Sequence, residues 1–124
     1  MAYISFMNLF PPVTVIETPS FLRDAKKLLG DDEQKDLVSF LAYNPTAGNV
    51  LKGTGGVRKI RWAREGEGKS GGFRVIYFFH SLEIPLFALA IFAKNEKSNI
   101  SRLERNTLRE LVAELASQYK GGRA

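Results

Sequence analysis

The stretch VRKIRWAREGEGKSGGFRVIYFF occupies residues 57–79, and its middle fits the loose form of a nucleotide-binding P-loop: Ala63, any four residues, then Gly68, Lys69 and Ser70. A P-loop works because a strand feeds a Gly-rich turn that opens a helix, whose free N-terminal amides grip phosphates. Here the turn is followed by two glycines and FRVIYFF (73–79), a β-branched and aromatic run that is a poor helix former. The next strand begins too soon for a crossover helix. The later apolar strand, PLFALAIFA (85–93), runs into Lys94 and not into an acid that would hold magnesium. The stretch therefore reads as two antiparallel strands, VRKIRWA (57–63) and FRVIYFF, joined by a long charged hairpin loop. That reading excludes a nucleotide triphosphatase and sets the side-chain period at two.

With that period, Lys59 and Arg61 share a sheet face, Arg74 lies near the start of the paired strand, and Lys69 sits in the loop between them. Such a cluster can hold a phosphodiester, neutralise its developing charge and protonate a leaving oxygen. The same spacing also suits strand residues that only face solvent. Charge is concentrated here: residues 52–74 hold seven basic side chains (Lys52, Arg58, Lys59, Arg61, Arg64, Lys69, Arg74) and two acidic ones, an excess equal to the whole chain's +5. Concentration of this kind favours a polyanionic partner, RNA or DNA first, over an acidic or neutral one.

Working outward toward the N-terminus, VTVIET (13–18) alternates as a first strand. Pro19 and Ser20 offer a helix start with Ser20 as N-cap, and Phe21, Leu22, Ala25, Leu28 and Leu29 keep helical spacing up to Gly30. A second helix starts at Asp31 and Asp32, whose carboxylates suit a helix N-terminus, and stops at Asn44-Pro45. The segment PTAGNVLKGTGG (45–56) reads as a polar, Gly-rich connection. Toward the C-terminus, PLFALAIFA is apolar on both faces and reads as a central strand. Ser101 and Glu104 form a capping box ahead of a helix with Leu108, Leu111, Val112 and Leu115 on one face, ended by Gly121-Gly122. The expected order is β-α-α-β-β-β-α, a single α+β domain over residues 1–124 with an antiparallel-dominated sheet. Residues 1–12, MAYISFMNLFPP, are either an extra strand or disordered.

The bulk properties bound the rest. A chain of 124 residues with 44% hydrophobic and 25% charged residues suits one soluble core. Its longest apolar run, residues 84–93, is about half a membrane span. The N-terminus has neither the basic start nor the cleavage site of a signal peptide. The absence of cysteine rules out disulfides and thiolate metal sites and agrees with a cytoplasmic setting.

The ordered combination GTGG-x-RK (53–59), GKSGG-x-RVIY (68–77) and AKNEK (93–97) resembles the RelE/ParE superfamily of toxins from type II toxin–antitoxin systems, with the nearest likeness to HigB-type toxins. The likeness runs from about Lys52 to about Leu115, and the strand and helical hairpin before it agree with the RelE-like fold. The resemblance implies a helical hairpin on one sheet face and a basic concave site on the other. It also implies a metal-independent, cofactor-free messenger RNA endoribonuclease, usually acting on the ribosome. In such enzymes the ribose 2′-hydroxyl attacks the adjacent phosphate to give a 2′,3′-cyclic phosphate and a 5′-hydroxyl. Carried over by motif, the catalytic residues are Lys59, Arg61, Arg74 and Lys94, and Lys52, Arg58, Arg64 and Lys69 would contact RNA or the ribosome. The implied partner is an antitoxin, a helix-turn-helix DNA-binding protein.

One departure concerns the base. RelE itself carries a tyrosine shortly after the last basic residue, whereas NEKSNIS (95–101) has none, and neither Tyr77 nor Tyr119 matches the position. A lysine crowded by other cations can give up its proton, which makes Lys59 the candidate. His80, the one histidine, falls at the far end of its strand from Arg74. Trp62 and Phe73 can stack on bases or fill the core, and Glu65 and Glu67 read as charge-balancing loop residues. Two other functions share the fold: a ParE-like toxin that inhibits a protein such as DNA gyrase, and an RNA-binding module without catalysis.

Overall fold

The structure is a computed structural model, and it describes residues 11–63, 72–94 and 100–122. The elements are β1 (Val15–Glu17), α1 (Pro19–Leu28), α2 (Asp31–Tyr43), β2 (Asn49–Val50), β3 (Val57–Trp62), β4 (Phe73–Phe78), β5 (Leu86–Ala93) and α3 (Arg102–Gly122). The strands form one sheet in the order β1-β5-β4-β3-β2. The pair β1–β5 is parallel and the other three are antiparallel, so the α+β sheet is mixed and antiparallel-dominated. The segment read as a bare connection contains β2, whose Asn49 and Val50 pair with Lys59 and Arg58. Strands β5, apolar throughout, and β4, apolar except for Arg74, take interior positions; β4 is the middle strand and all six of its residues are buried.

Helix α1 starts two residues earlier than Ser20 as N-cap would place it. Thr18 is the N-cap, its hydroxyl accepting from the Phe21 amide at 3.3 Å, and Pro19 fills the first helical position, where its missing N–H costs nothing. The same hydroxyl donates to the Ala88 carbonyl of β5 at 2.9 Å, beside a register shift in the β4–β5 ladder. Helix α2 carries Asp31, Asp32 and Glu33 in its first turn, and the Glu33 carboxylate accepts from the Gly30 amide at 3.1 Å. The two helices bury Phe21, Ala25, Leu37 and Leu41 against Phe73, Val75, Tyr77 and Ile91 on one sheet face.

The other face carries a second core of Val57, Ile76, Phe78, Phe87 and Leu89, covered by α3 through Val112 with Leu108, Leu115 and Tyr119. The capping box is formed: the Ser101 amide donates to Glu104 Oε1 at 3.0 Å, and the Glu104 amide to Ser101 Oγ at 3.1 Å. Leu111, expected on the buried stripe, is 41% exposed, and the helix continues to Gly122. Gly53, Gly55 and Gly56 all take positive φ in the turn before β3, a conformation that side chains with a Cβ disfavour. The Thr54 hydroxyl closes that turn, donating to the Leu51 carbonyl at 2.6 Å and accepting from the Val57 amide at 3.1 Å.

Candidate active site

Two neighbouring strands bring the basic residues together, and a third sets Asn49 beside them. Arg61 on β3 stands directly opposite Arg74 on β4, and Lys59 stands opposite Ile76 on one side and Asn49 of β2 on the other. Directly paired residues share a face, so Asn49, Lys59, Arg61 and Arg74 project on the side that α3 covers in part. A cavity of about 360 Å³ opens there, lined by Ala47, Asn49, Lys59, Ile60, Arg61 and Arg74. It holds three cations and no carboxylate among the described residues. Like charges placed directly across a ladder repel each other, and this concentration of charge favours an anion with several oxygens.

Arg74 is 95% buried by its 5% exposure. Among the described residues its guanidinium makes one long hydrogen bond, from Nη1 to the Phe73 carbonyl at 3.5 Å, and no ion pair. A buried, uncompensated guanidinium carries a large desolvation cost, and a phosphate in the cavity would offset it. Gly72, just before this strand, approaches the neighbouring backbone closely: a Cβ there would lie 2.6 Å from the Trp62 carbonyl oxygen. A glycine is therefore needed where the two strands meet at the site end of the hairpin.

None of the other predicted residues that the structure describes lines the cavity. Lys94 is exposed at the end of β5, its amide donating to the Gly72 carbonyl at 3.3 Å, so it stands at the same end of the sheet as Arg61 and Arg74. Lys52 is exposed in the turn at the other end of β3, where its carbonyl accepts from Arg105 Nη1 at 2.8 Å. Arg58 has the parity of Ile60 and projects on the helical-hairpin side. Its Nη1 donates to the carbonyls of Thr46 at 3.2 Å and Gly48 at 2.8 Å, fixing the loop before β2. Arg64, Lys69, Glu65 and Glu67 lie outside the described residues.

The aromatic and histidine candidates point elsewhere. Trp62 packs on Phe40 at a ring separation of 5.5 Å, and Phe73 is buried in the same core. Tyr77 lies beneath the loop before β2, its phenol oxygen accepting from the Gly48 amide at 2.8 Å. Burial raises the Tyr77 pKa above its ordinary 10.0, against smaller lowering effects of that hydrogen bond and of Arg58. Tyr119 meets Phe87 edge-on at 6.0 Å, and His80 is exposed at the far end of β4, tilted against Phe78 at 6.2 Å. Asn49 is the cavity residue that sequence reasoning missed. A two-residue strand has no periodicity to betray it, although Gly48, whose added Cβ would meet the Tyr77 ring at 2.9 Å, marks a tight approach next to it.

The chain resembles a solved structure, an E. coli toxin RelE mutant with two arginine-to-alanine changes, in the free state. The match has a TM-score of 0.52 at 18% identity and covers 70% of this chain and 88% of that one. At that identity the likeness concerns the fold. The family model described as the RelE toxin of the RelE/RelB toxin–antitoxin system matches residues 14–121, which takes in every element from β1 through nearly all of α3. The chain therefore belongs to the RelE toxin family and is a toxin of a toxin–antitoxin system.

Proposed function

We propose that this toxin is a messenger RNA endoribonuclease of the HigB-like kind, acting in the ribosomal A site in the cytoplasm and held in check by a helix-turn-helix antitoxin. The observation that carries the reading is Arg74: a buried guanidinium opposite Arg61, with neither an ion-pair partner nor an acid in the cavity lining among the described residues. A surface that only blocks another protein gains nothing from burying such a charge, whereas a phosphodiester would offset it.

In this mechanism Arg74 and Arg61 grip the non-bridging oxygens of the scissile phosphate and stabilise the charge that builds there. The Lys59 amine takes the proton of the ribose 2′-hydroxyl. The 2′-oxygen bonds to phosphorus as the bond to the 5′-oxygen breaks, and the leaving oxygen takes a proton from the Lys94 ammonium. The products are a 2′,3′-cyclic phosphate and a 5′-hydroxyl. The Asn49 amide, beside Lys59, is placed to hold the ribose or a base edge.

Adding the purified toxin to a translating extract and mapping message ends tests this. Codon-phased breaks ending in cyclic phosphates are expected, with Arg74→Ala and Lys59→Ala each slowing cleavage by roughly 10²–10³-fold. Intact messages alongside damaged DNA would instead point to a gyrase inhibitor. Normal cleavage by Lys59→Ala would remove Lys59 as the base.

A further inference from the structure

Helix α3 divides its charge. Arg102, Arg105 and Arg109 are spaced three and four residues apart, which at 100° per residue places them within an arc of about 60°. The acids Glu110 and Glu114 fall on the exposed face, about 80–120° round the helix from Arg102. The basic flank borders the buried stripe of Leu108, Val112 and Leu115, so it lies beside the sheet face that also carries Lys59, Arg61 and Arg74. Arg105 is half-buried and oriented by its 2.8 Å bond to the Lys52 carbonyl, while Lys52, Arg102 and Arg109 are exposed. None of the three arginines forms an ion pair among the described residues. Arg102, at the first helical position, also sits where the helix dipole disfavours a cation. Helix stability therefore does not explain a positive charge there.

We propose that Arg102, Arg105 and Arg109, continued by Lys52, form a second phosphate-binding track, distinct from the cavity, that holds the RNA strand beyond the scissile phosphate. The proposal rests on the ribonuclease reading. The track has the properties that backbone binding needs: several cations along roughly 10 Å of helix, one of them pre-oriented, and no requirement for a particular base. RNA fits it better than an acidic polypeptide because the flank shares its sheet face with a cavity built for a phosphate.

The test uses a labelled 2′-O-methyl RNA of about a dozen nucleotides, which lacks the attacking hydroxyl and remains intact. Its affinity is measured by fluorescence anisotropy across a salt series. Arg102→Gln with Arg109→Gln, which leaves the Arg105–Lys52 link in place, is expected to lower the log–log salt slope by about 1.4, at about 0.7 per lost phosphate contact. Affinity near 0.1 M salt should fall roughly tenfold or more. Glu110→Gln with Glu114→Gln, on the exposed face of the helix, should not weaken binding, and circular dichroism checks that both doubles are folded. An unchanged slope and affinity in the arginine double overturns the proposal. So does loss of binding to polyglutamate with RNA affinity retained, or failure of the wild-type protein to bind the RNA. Message-end mapping with wild-type protein is read separately, so loss of the ribonuclease reading is told apart from loss of the track.

Discussion

At the residue scale, Tyr77 shows how one polar group supports the site from behind. Its phenol oxygen accepts from the Gly48 amide at 2.8 Å, holding the loop that delivers Asn49 to the cavity. Tyr77→Phe keeps the ring but strips that amide of its partner, which is expected to cost about 1–3 kcal/mol. Because burial raises the phenol's pKa above 10.0, the folded state keeps the proton that the unfolded chain releases. The tyrosine's contribution is therefore complete below pH 10 and fades as pH rises through the higher folded value. Denaturant midpoints at neutral pH and above pH 10 should show the gap between the wild type and Tyr77→Phe narrowing; a gap that stays constant would contradict the assignment. Strand parity made Lys59, Arg61 and Arg74 legible as a group, and the same parity sets Arg58 on the opposite face with the carbonyls of Thr46 and Gly48. Charge density alone had merged Arg58 with the others. Asn49 was hidden because its position depends on pairing with Lys59, which no local pattern encodes.

At the scale of elements, the hairpin of β3 and β4 depends on Gly72. Its α-carbon has no room for a methyl group, since a Cβ would meet the Trp62 carbonyl oxygen at 2.6 Å and the Ala63 α-carbon at 2.9 Å. Both obstacles are backbone, so the strands must part. Gly72→Ala is expected to destabilise the protein by about 1–3 kcal/mol. It should also impair cleavage more than that loss of stability explains, because Arg61 and Arg74 are paired across this hairpin. A thermal melt together with an activity assay well below the transition separates the two effects; normal activity in a destabilised variant would count against the coupling. The strong elements were readable for clear reasons. β4 and β5 are long enough to show their composition, and the Ser101–Glu104 box forms as its spacing suggests. The start of α1 was misread because Ser20 resembles a cap, whereas Pro19 at the first helical position requires the cap to be Thr18. Leu111 was misread because helical spacing gives the centre of an apolar stripe better than its edge.

At the scale of the whole molecule, the sheet has helices on both faces, and the end of one face is left open to the cavity. The hairpin helices cover one side; α3 covers Val57 and Phe78 on the other, beyond Lys59 and Arg61 along the same strand. The parallel pairing of β1 with β5, together with the bond from Thr18 to Ala88 across 70 residues, closes this architecture. In the order of synthesis, that closure comes late. The sequence of Lys59, Arg61 and Arg74 leaves the ribosome before β5 does, so a growing chain holds the whole basic cluster while β1 and β4 still lack the strand that joins them. Long-range pairings of this kind are slow to form and leave strand edges exposed meanwhile. Protease digestion of stalled nascent chains should find α1 and α2 labile until β5 has emerged, and protected soon afterwards. Early protection would mean that the hairpin helices stand without the sheet. The parallel strand pair thus sets an order on the toxin's assembly: the arginines are made before β5, and the fold that buries Arg74 between its neighbours is completed only once β5 has emerged.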